Sequence, residues 1–256
     1  MINFKNVVKE FSGKPVLRGM NLNVAKGETI SLVGTSGAGK SVTLKHMVRL
    51  LEATSGEILI DGENILDKDG PELARMREKF GYLFQGAALL QWMSVFENVA
   101  LPLRENTKLS DKEIEEKVVS VLEKVDLLAA AEKLPANISG GMQKRAGLAR
   151  AVVTEPLILL YDEPTSGLDP VTSRTIDQLI HDLQRDLGVT SVVVTHDMIS
   201  ALTISDRIAM LHQGRVSEVS TPKDFLKSEN EVVRNFLDSQ CISSKFFEEF
   251  PERTLS

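Results

Sequence analysis

Residues 34–41 read Gly34-Thr35-Ser36-Gly37-Ala38-Gly39-Lys40-Ser41, and they decide the fold. The apolar run Ile30-Ser31-Leu32-Val33 precedes them, and Lys40 to Leu51 follows with no glycine or proline. The order is strand, glycine-rich turn, helix. That is the context in which successive backbone N–H groups can turn inward around phosphate oxygens at a helix start. Lys40 would then reach the terminal phosphates, and the Ser41 hydroxyl would ligate Mg²⁺. The same stretch also fits a glycine-rich turn with no ligand.

Two further strands end in chemistry. Leu157-Ile158-Leu159-Leu160-Tyr161 runs into Asp162-Glu163, and Val192-Val193-Val194-Thr195 runs into His196-Asp197. Adjacent acids at the end of a buried strand need a cation or a proton transfer nearby. Asp162 is placed to hold Mg²⁺ and Glu163 to polarise water. Standing alone, the acid pair also reads as an acidic turn, and His196 as a structural histidine. Ligands collect at the carboxyl ends of parallel strands, which ties the three endings together. His46, His181 and His212 lack such a context and read as structural or surface residues.

Around these strands the pattern alternates. Residues 1–33 read as short strands and turns, and Glu57-Ile58-Leu59-Ile60 as a strand entering a tight turn at Asp61-Gly62. From residue 86 to 156 the character is helical. Ser110 and Glu113 form a capping-box pattern, and Ile114, Val118, Val121, Leu122 and Val125 recur at helical spacing. Asp169-Pro170 opens another helix, with Ile176, Leu179, Ile180, Leu183 and Leu187 on its apolar face. Ile208 to Val219 reads as a hairpin broken at Gln213-Gly214. Strands alternating with helices predict a parallel sheet covered on both faces.

The chain has 256 residues, 30 of them basic and 36 acidic, for a net charge of −6. That balance argues against nucleic acid, whose phosphates call for clustered Lys and Arg. The one cysteine, Cys241, cannot form an intrachain disulfide. No run of about 18 or more apolar residues is present, and the start shows no signal-peptide pattern. These features predict a soluble, cytoplasmic product that reaches a membrane only through a partner.

Ser139-Gly140-Gly141-Met142 precedes a helix carrying Lys144, Arg145 and Arg150. It makes a second anion cradle, which one monomer with one nucleotide does not need. With it the chain resembles an ATP-binding cassette (ABC) ATPase over nearly its whole length. Gly34 to Ser41 resembles the Walker A motif, Ile138 to Met142 the signature, and Leu157 to Glu163 the Walker B motif. Gln85 resembles the Q-loop glutamine, Ser166-Gly167-Leu168-Asp169 the D-loop, and His196 the switch histidine. Ile138 and Met142 replace the commoner Leu and Gln of the signature.

The resemblance implies an α/β P-loop NTPase fold with a mixed or parallel core sheet, an N-terminal antiparallel sheet and an inserted helical subdomain. It divides the chain into a catalytic core (1–85 and 157–221), a helical subdomain (86–156) and a C-terminal extension (222–256). It also implies ATP and Mg²⁺ as ligands, and a head-to-tail pair of copies. Ser139, Gly140, Gly141 and Asp169 would face the nucleotide held by the other copy. Phe11 would stack on adenine, and Gln85 would join Ser41 and Asp162 at the metal. Lys40, Gln85, Glu163 and His196 would carry catalysis.

The linking segments Phe84 to Leu90, Val95 to Glu105, Ser139 to Arg145, Tyr161 to Pro170 and Thr195 to Met198 resemble the Mla/Mce-type phospholipid-transport ATPases. So does Val232 to Leu237. That implies a bacterial subunit, peripheral on the cytoplasmic face of the inner membrane, bound to an integral permease through residues 86–98. Leu89, Leu90, Trp92, Met93, Val95 and Phe96 either line a groove for the permease or pack the helical lobe. The tail from Asp238, with Phe246, Phe247 and Phe250, either packs across a dimer or frays. A P-loop kinase or GTPase would not need Ser139-Gly140-Gly141. An amino-acid importer or an assembly-type ABC ATPase would keep the same motifs.

Overall fold

The computed structural model describes residues 1–249. Strand β1 (Ile2–Phe11) pairs antiparallel with β2 (Lys14–Val24) through a two-residue turn at Ser12-Gly13, both at positive φ (50° and 77°). Such turns match the twist of the flanking strands. These are long strands, where the sequence predicts short ones. Register shifts along β1, and Gly19 at φ 77° inside β2, interrupt the period-two pattern that would have revealed their length.

Next come β3 (Thr29–Val33), helix α1 (Lys40–Met47), β4 (Ser55–Ile60), β5 (Glu63–Asn64), α2 (Gly70–Arg77) and β6 (Phe80–Leu83). The β4–β5 turn falls at Asp61-Gly62, as predicted, with both residues at positive φ. Helix α1 stops at Met47, short of the predicted Leu51, because Arg49 adopts φ 50°. Helix α2 has no signature in the sequence: it buries Met76 alone and so shows no apolar stripe. Strands β2-β1-β4-β5 form one antiparallel sheet.

Helices α3 (Val95–Asn106), α4 (Asp111–Lys124) and α5 (Gly140–Val152) pack together around Val99, Leu103, Ile114, Val118, Leu122 and Ala149. The Ser110–Glu113 capping box is present, and a second one, Ser94–Glu97, starts α3. After α5 come β7 (Ile158–Asp162), α6 (Pro170–Leu187), β8 (Thr190–Val194), α7 (Met198–Ile204), β9 (Arg207–His212) and β10 (Arg215–Ser220). The core sheet has the order β10-β9-β3-β8-β7-β6. It is parallel except for the β9–β10 hairpin, which turns at Gln213-Gly214, so the sheet is mixed. Every residue of β3, β7 and β8 is buried, as expected of central strands covered on both faces.

Helices α8 (Pro222–Phe225), α9 (Glu231–Ser239) and α10 (Phe246–Glu249) close the described chain. Phe246 is buried and Phe247 partly buried in a cluster with Met198, Leu202, Phe225 and Phe236. The tail through α10 therefore packs on its own chain instead of fraying. Phe250 lies outside the described residues.

Between α6 and α7, Asp177 is 2% exposed. Its Oδ2 accepts from Arg174 Nη1 (2.6 Å) and Ser200 Oγ (2.9 Å), while Oδ1 is buried without a partner. Burial pushes its carboxyl up to about 7, against the pull of Arg174. A carboxyl raised in the folded state holds its proton there more tightly than in the unfolded chain, so stability falls as pH rises from about 4 to 7. Asp177→Asn removes that dependence. Urea unfolding at pH 5 and pH 7 should show the variant gaining on the parent by about 1 kcal/mol per pH unit. Identical pH dependence of the two chains would contradict this assignment.

Candidate active site

The register of the core sheet assembles the site. Leu32 of β3 lies opposite Val194 of β8, and Val194 lies opposite Asp162 of β7. The three strands thus end level, and the segments that leave them meet at one edge.

After β3, the loop needs its glycines for two reasons. Gly34, Gly37 and Gly39 have φ of 147°, 79° and 106°, and a Cβ on Gly34 would lie 2.2 Å from the Leu211 carbonyl oxygen. Thr35, Ser36 and Gly37 are exposed, while Ala38 and Gly39 are buried beneath them. Lys40 is 9% exposed, and its Nζ donates to the carbonyls of Gly34 (2.8 Å) and Thr35 (3.2 Å). Burial holds its ammonium below the usual lysine range, against the opposing charges of Glu163 and Asp162. A lysine so placed, with carboxylates behind it and the loop's backbone around it, suits an anionic ligand.

After β7, Asp162 Oδ1 accepts a hydrogen bond from Ser41 Oγ at 2.7 Å. A hydroxyl and a carboxylate side by side at a phosphate loop suit Mg²⁺, which takes few protein oxygens and completes its shell with phosphate and water. Glu163 follows at φ 52°, the left-handed region that non-glycine residues enter only under constraint. Its N–H donates to the Val194 carbonyl (2.9 Å), which fixes the bend. After β8, His196 Nδ1 lies 2.5 Å from Glu163 Oε2. His196 is largely exposed while Glu163 is 9% exposed, so the imidazole covers the carboxylate from the solvent side.

Lys40, Ser41, Asp162, Glu163 and His196 therefore come together within one chain. Gln85, two residues past β6, is exposed, and its carbonyl accepts from Lys144 Nζ. Phe11 is 42% exposed at the end of β1, with the Lys9 ammonium 4.8 Å from its ring centroid. Strand β2 carries Val16 and Leu17 to the loop, where a Cβ on Gly39 would lie 2.9 Å from Leu17 Cδ2.

The signature residues have other neighbours. A Cβ on Gly141 would lie 2.6 Å from Thr172 Cγ2, and one on Gly140 3.8 Å from Leu168 Cδ2. Ser139 caps α5 and is exposed along with Gly140. Ile138 and Met142, the two unusual signature residues, pack into the apolar cluster of α3, α4 and α5, so their apolar surface faces inward. Asp169 caps α6, accepting from the N–H groups of Val171 and Thr172 and from the Thr172 hydroxyl.

Two site residues had no signal in the sequence. Lys144 is buried against the backbone, its Nζ donating to the carbonyls of Gln85 and Glu163. Tyr82 on β6 has a buried hydroxyl whose ionisation is pushed up by burial and by Asp162. Both depend on tertiary packing.

Comparison with known proteins agrees with this geometry. The ABC transporter family matches residues 17–166. The chain is 42% identical over 94% of its length to "Probable ribonucleotide transport ATP-binding protein mkl" of Mycobacterium leprae, covering 70% of that protein. It is 39% identical over its full length to the methionine import ATP-binding protein MetN of Carboxydothermus hydrogenoformans, covering 75% of that protein. Among solved structures, the dimeric ATP-binding cassette MJ0796 with ADP and Pi matches with a TM-score of 0.80 and 36% identity, over 87% of this chain and 99% of that one. Among the described residues no helix is long and apolar enough to cross a membrane. On sequence, fold and site geometry alike, the chain belongs to the ABC transporter family, as one of its ATP-binding, ATP-hydrolysing cassettes.

Proposed function

We propose that this cassette works as a head-to-tail pair that drives a membrane permease moving phospholipid in a bacterium, on the cytoplasmic face of the inner membrane. The observation that carries the catalytic part is the convergence of Lys40, the Ser41–Asp162 pair and the Glu163–His196 pair at one sheet edge. In this reading ATP phosphates lie in the Gly34–Ser41 loop and Phe11 stacks on adenine. Ser41, Asp162 and Gln85 would hold Mg²⁺, which when bound supplies positive charge against the phosphate oxygens. Glu163 takes up the proton of the attacking water, and His196 fixes the direction of its carboxylate. Ser139, Gly140 and Gly141 of each copy, with Asp169 bracing the D-loop, complete the site of the other. The chain then divides into a catalytic core (1–85 and 157–221), a helical subdomain (86–156) and an extension (222–256).

The permease contact is supported by residues 85–98. Arg150 donates to the carbonyls of Ala87 and Ala88 (both 2.7 Å), and these two residues sit at positive φ. Asn98, fully buried, donates to the carbonyls of Leu90, Met93 and Ser94 and accepts from the Leu90 N–H. The loop is thus held rigid while presenting Trp92 at 73% exposure, and an exposed tryptophan on a fixed loop is a strong interface anchor. Leu89 and Val95 are buried in the helical subdomain, so they pack the lobe instead of lining a groove. A groove of about 640 Å³ does lie beside the loop, lined by Arg77, Tyr82, Phe84, Ala88, Pro102 and Asn106, and Trp92 is not part of its wall.

Phospholipid as cargo rests on the likeness of the linking segments to Mla/Mce-type ATPases. The identity to MetN supports a second reading, amino-acid import.

Glu163→Gln should slow turnover by about 10²–10⁴, the range for a lost general base, with labelled-ATP affinity kept. Lys40→Ala should lose that affinity itself. Full turnover in Glu163→Gln would refute its role. With the permease in vesicles, ATP should drive transfer of a fluorescent phospholipid, and Trp92→Glu should weaken permease co-purification by about 30-fold. Stimulation of ATPase by methionine with no lipid transfer would favour the importer.

A further inference from the structure

Lys144 lies on α5 with 6% exposure. Its Nζ donates to the backbone carbonyl of Gln85 and to that of Glu163 (3.0 Å). A buried ammonium is costly unless its donors are satisfied. Here burial holds it below the usual lysine range, while the charges of Glu163 and Asp162 pull it back up. Both bonds go to main chain, so the side chain fixes where two loops run. One loop carries Gln85 after β6, and the other carries Glu163 at its constrained φ of 52°.

The other end of the same helix is the signature. Gly140 and Lys144 are four residues apart, about 6 Å along one rigid helix. Ser139 and Gly140 are exposed at its start, and the N–H groups of Gly140 and Gly141 have no acceptor within the helix, while that of Met142 donates to Ser139 Oγ (3.3 Å). Lys144 is therefore tied to the catalytic loops of its own chain, while the helix it stands on presents its N-terminus outward. These two bonds are the link by which a shift of α5 would reach both carbonyls.

We propose that Lys144 is a positioning residue that couples the two ATP sites of the pair. Nucleotide on one copy, by engaging the signature end of α5 in the other, sets Gln85 and Glu163 there through Lys144. This inference rests on the head-to-tail reading above. It makes the cooperativity of hydrolysis depend on a residue that contacts neither nucleotide.

The test is steady-state ATPase against ATP concentration, using the full chain in its complex with the permease, with thermal melting and labelled-ATP binding alongside. Two sites coupled in this way give the parent a Hill coefficient approaching about 2. Lys144→Met, which keeps length but has no donors, should bring it to about 1 and lower kcat by about 10–100-fold, with ATP affinity kept. Lys144→Gln, which keeps an N–H donor, should fall between the two and serves if the Met variant does not fold. A parental Hill coefficient in both variants overturns the proposal while leaving the paired reading intact. Non-cooperative hydrolysis by the parent overturns both. Parallel loss of ATP affinity and melting temperature in both variants assigns Lys144 a packing role only and also overturns it.

Discussion

The site depends on three parallel strands ending at the same height. Because Leu32, Val194 and Asp162 share one register line, the residues after them emerge side by side. The Gly34 turn, the Glu163 bend and His196 are then brought together without any further device. The strands themselves are wholly buried, and close packing leaves them no freedom to slide. A slip by one residue would also turn every side chain to the opposite face. Catalytic precision is thus borrowed from the core.

Much of that was legible in the chain because it is local. The phosphate loop is a contiguous motif between a strand and a helix, and the turns at Asp61-Gly62 and Gln213-Gly214 announce their hairpins. Asp162, Glu163 and His196 were legible because apolar runs end at them. What escaped was whatever depends on packing between distant segments. Bulges concealed the length of β1 and β2, and α2 buries too little to show a period. Nothing near Lys144 in sequence says that it reaches Gln85 and Glu163. The left-handed conformation of Glu163 is imposed by its bond to Val194, which belongs to another strand.

The division of labour between sheet and helices follows from the same geometry. The sheet edge gathers within one chain the residues proposed for phosphate, metal and water chemistry. The signature at the start of α5 and the cap at Asp169 lie together through Gly141, Leu168 and Thr172, apart from the loop they are proposed to serve in the other copy. Tail residues Phe246 and Phe247 pack against the core of their own chain.

The central claim is that two copies share each nucleotide. Light scattering of the Glu163→Gln chain, which binds ATP but hydrolyses it slowly, tests this directly. ATP should double the mass of that chain, and adding Ser139→Arg should keep it at the monomer mass with nucleotide still bound. A monomer in saturating ATP, or a dimer indifferent to Ser139→Arg, would contradict the account.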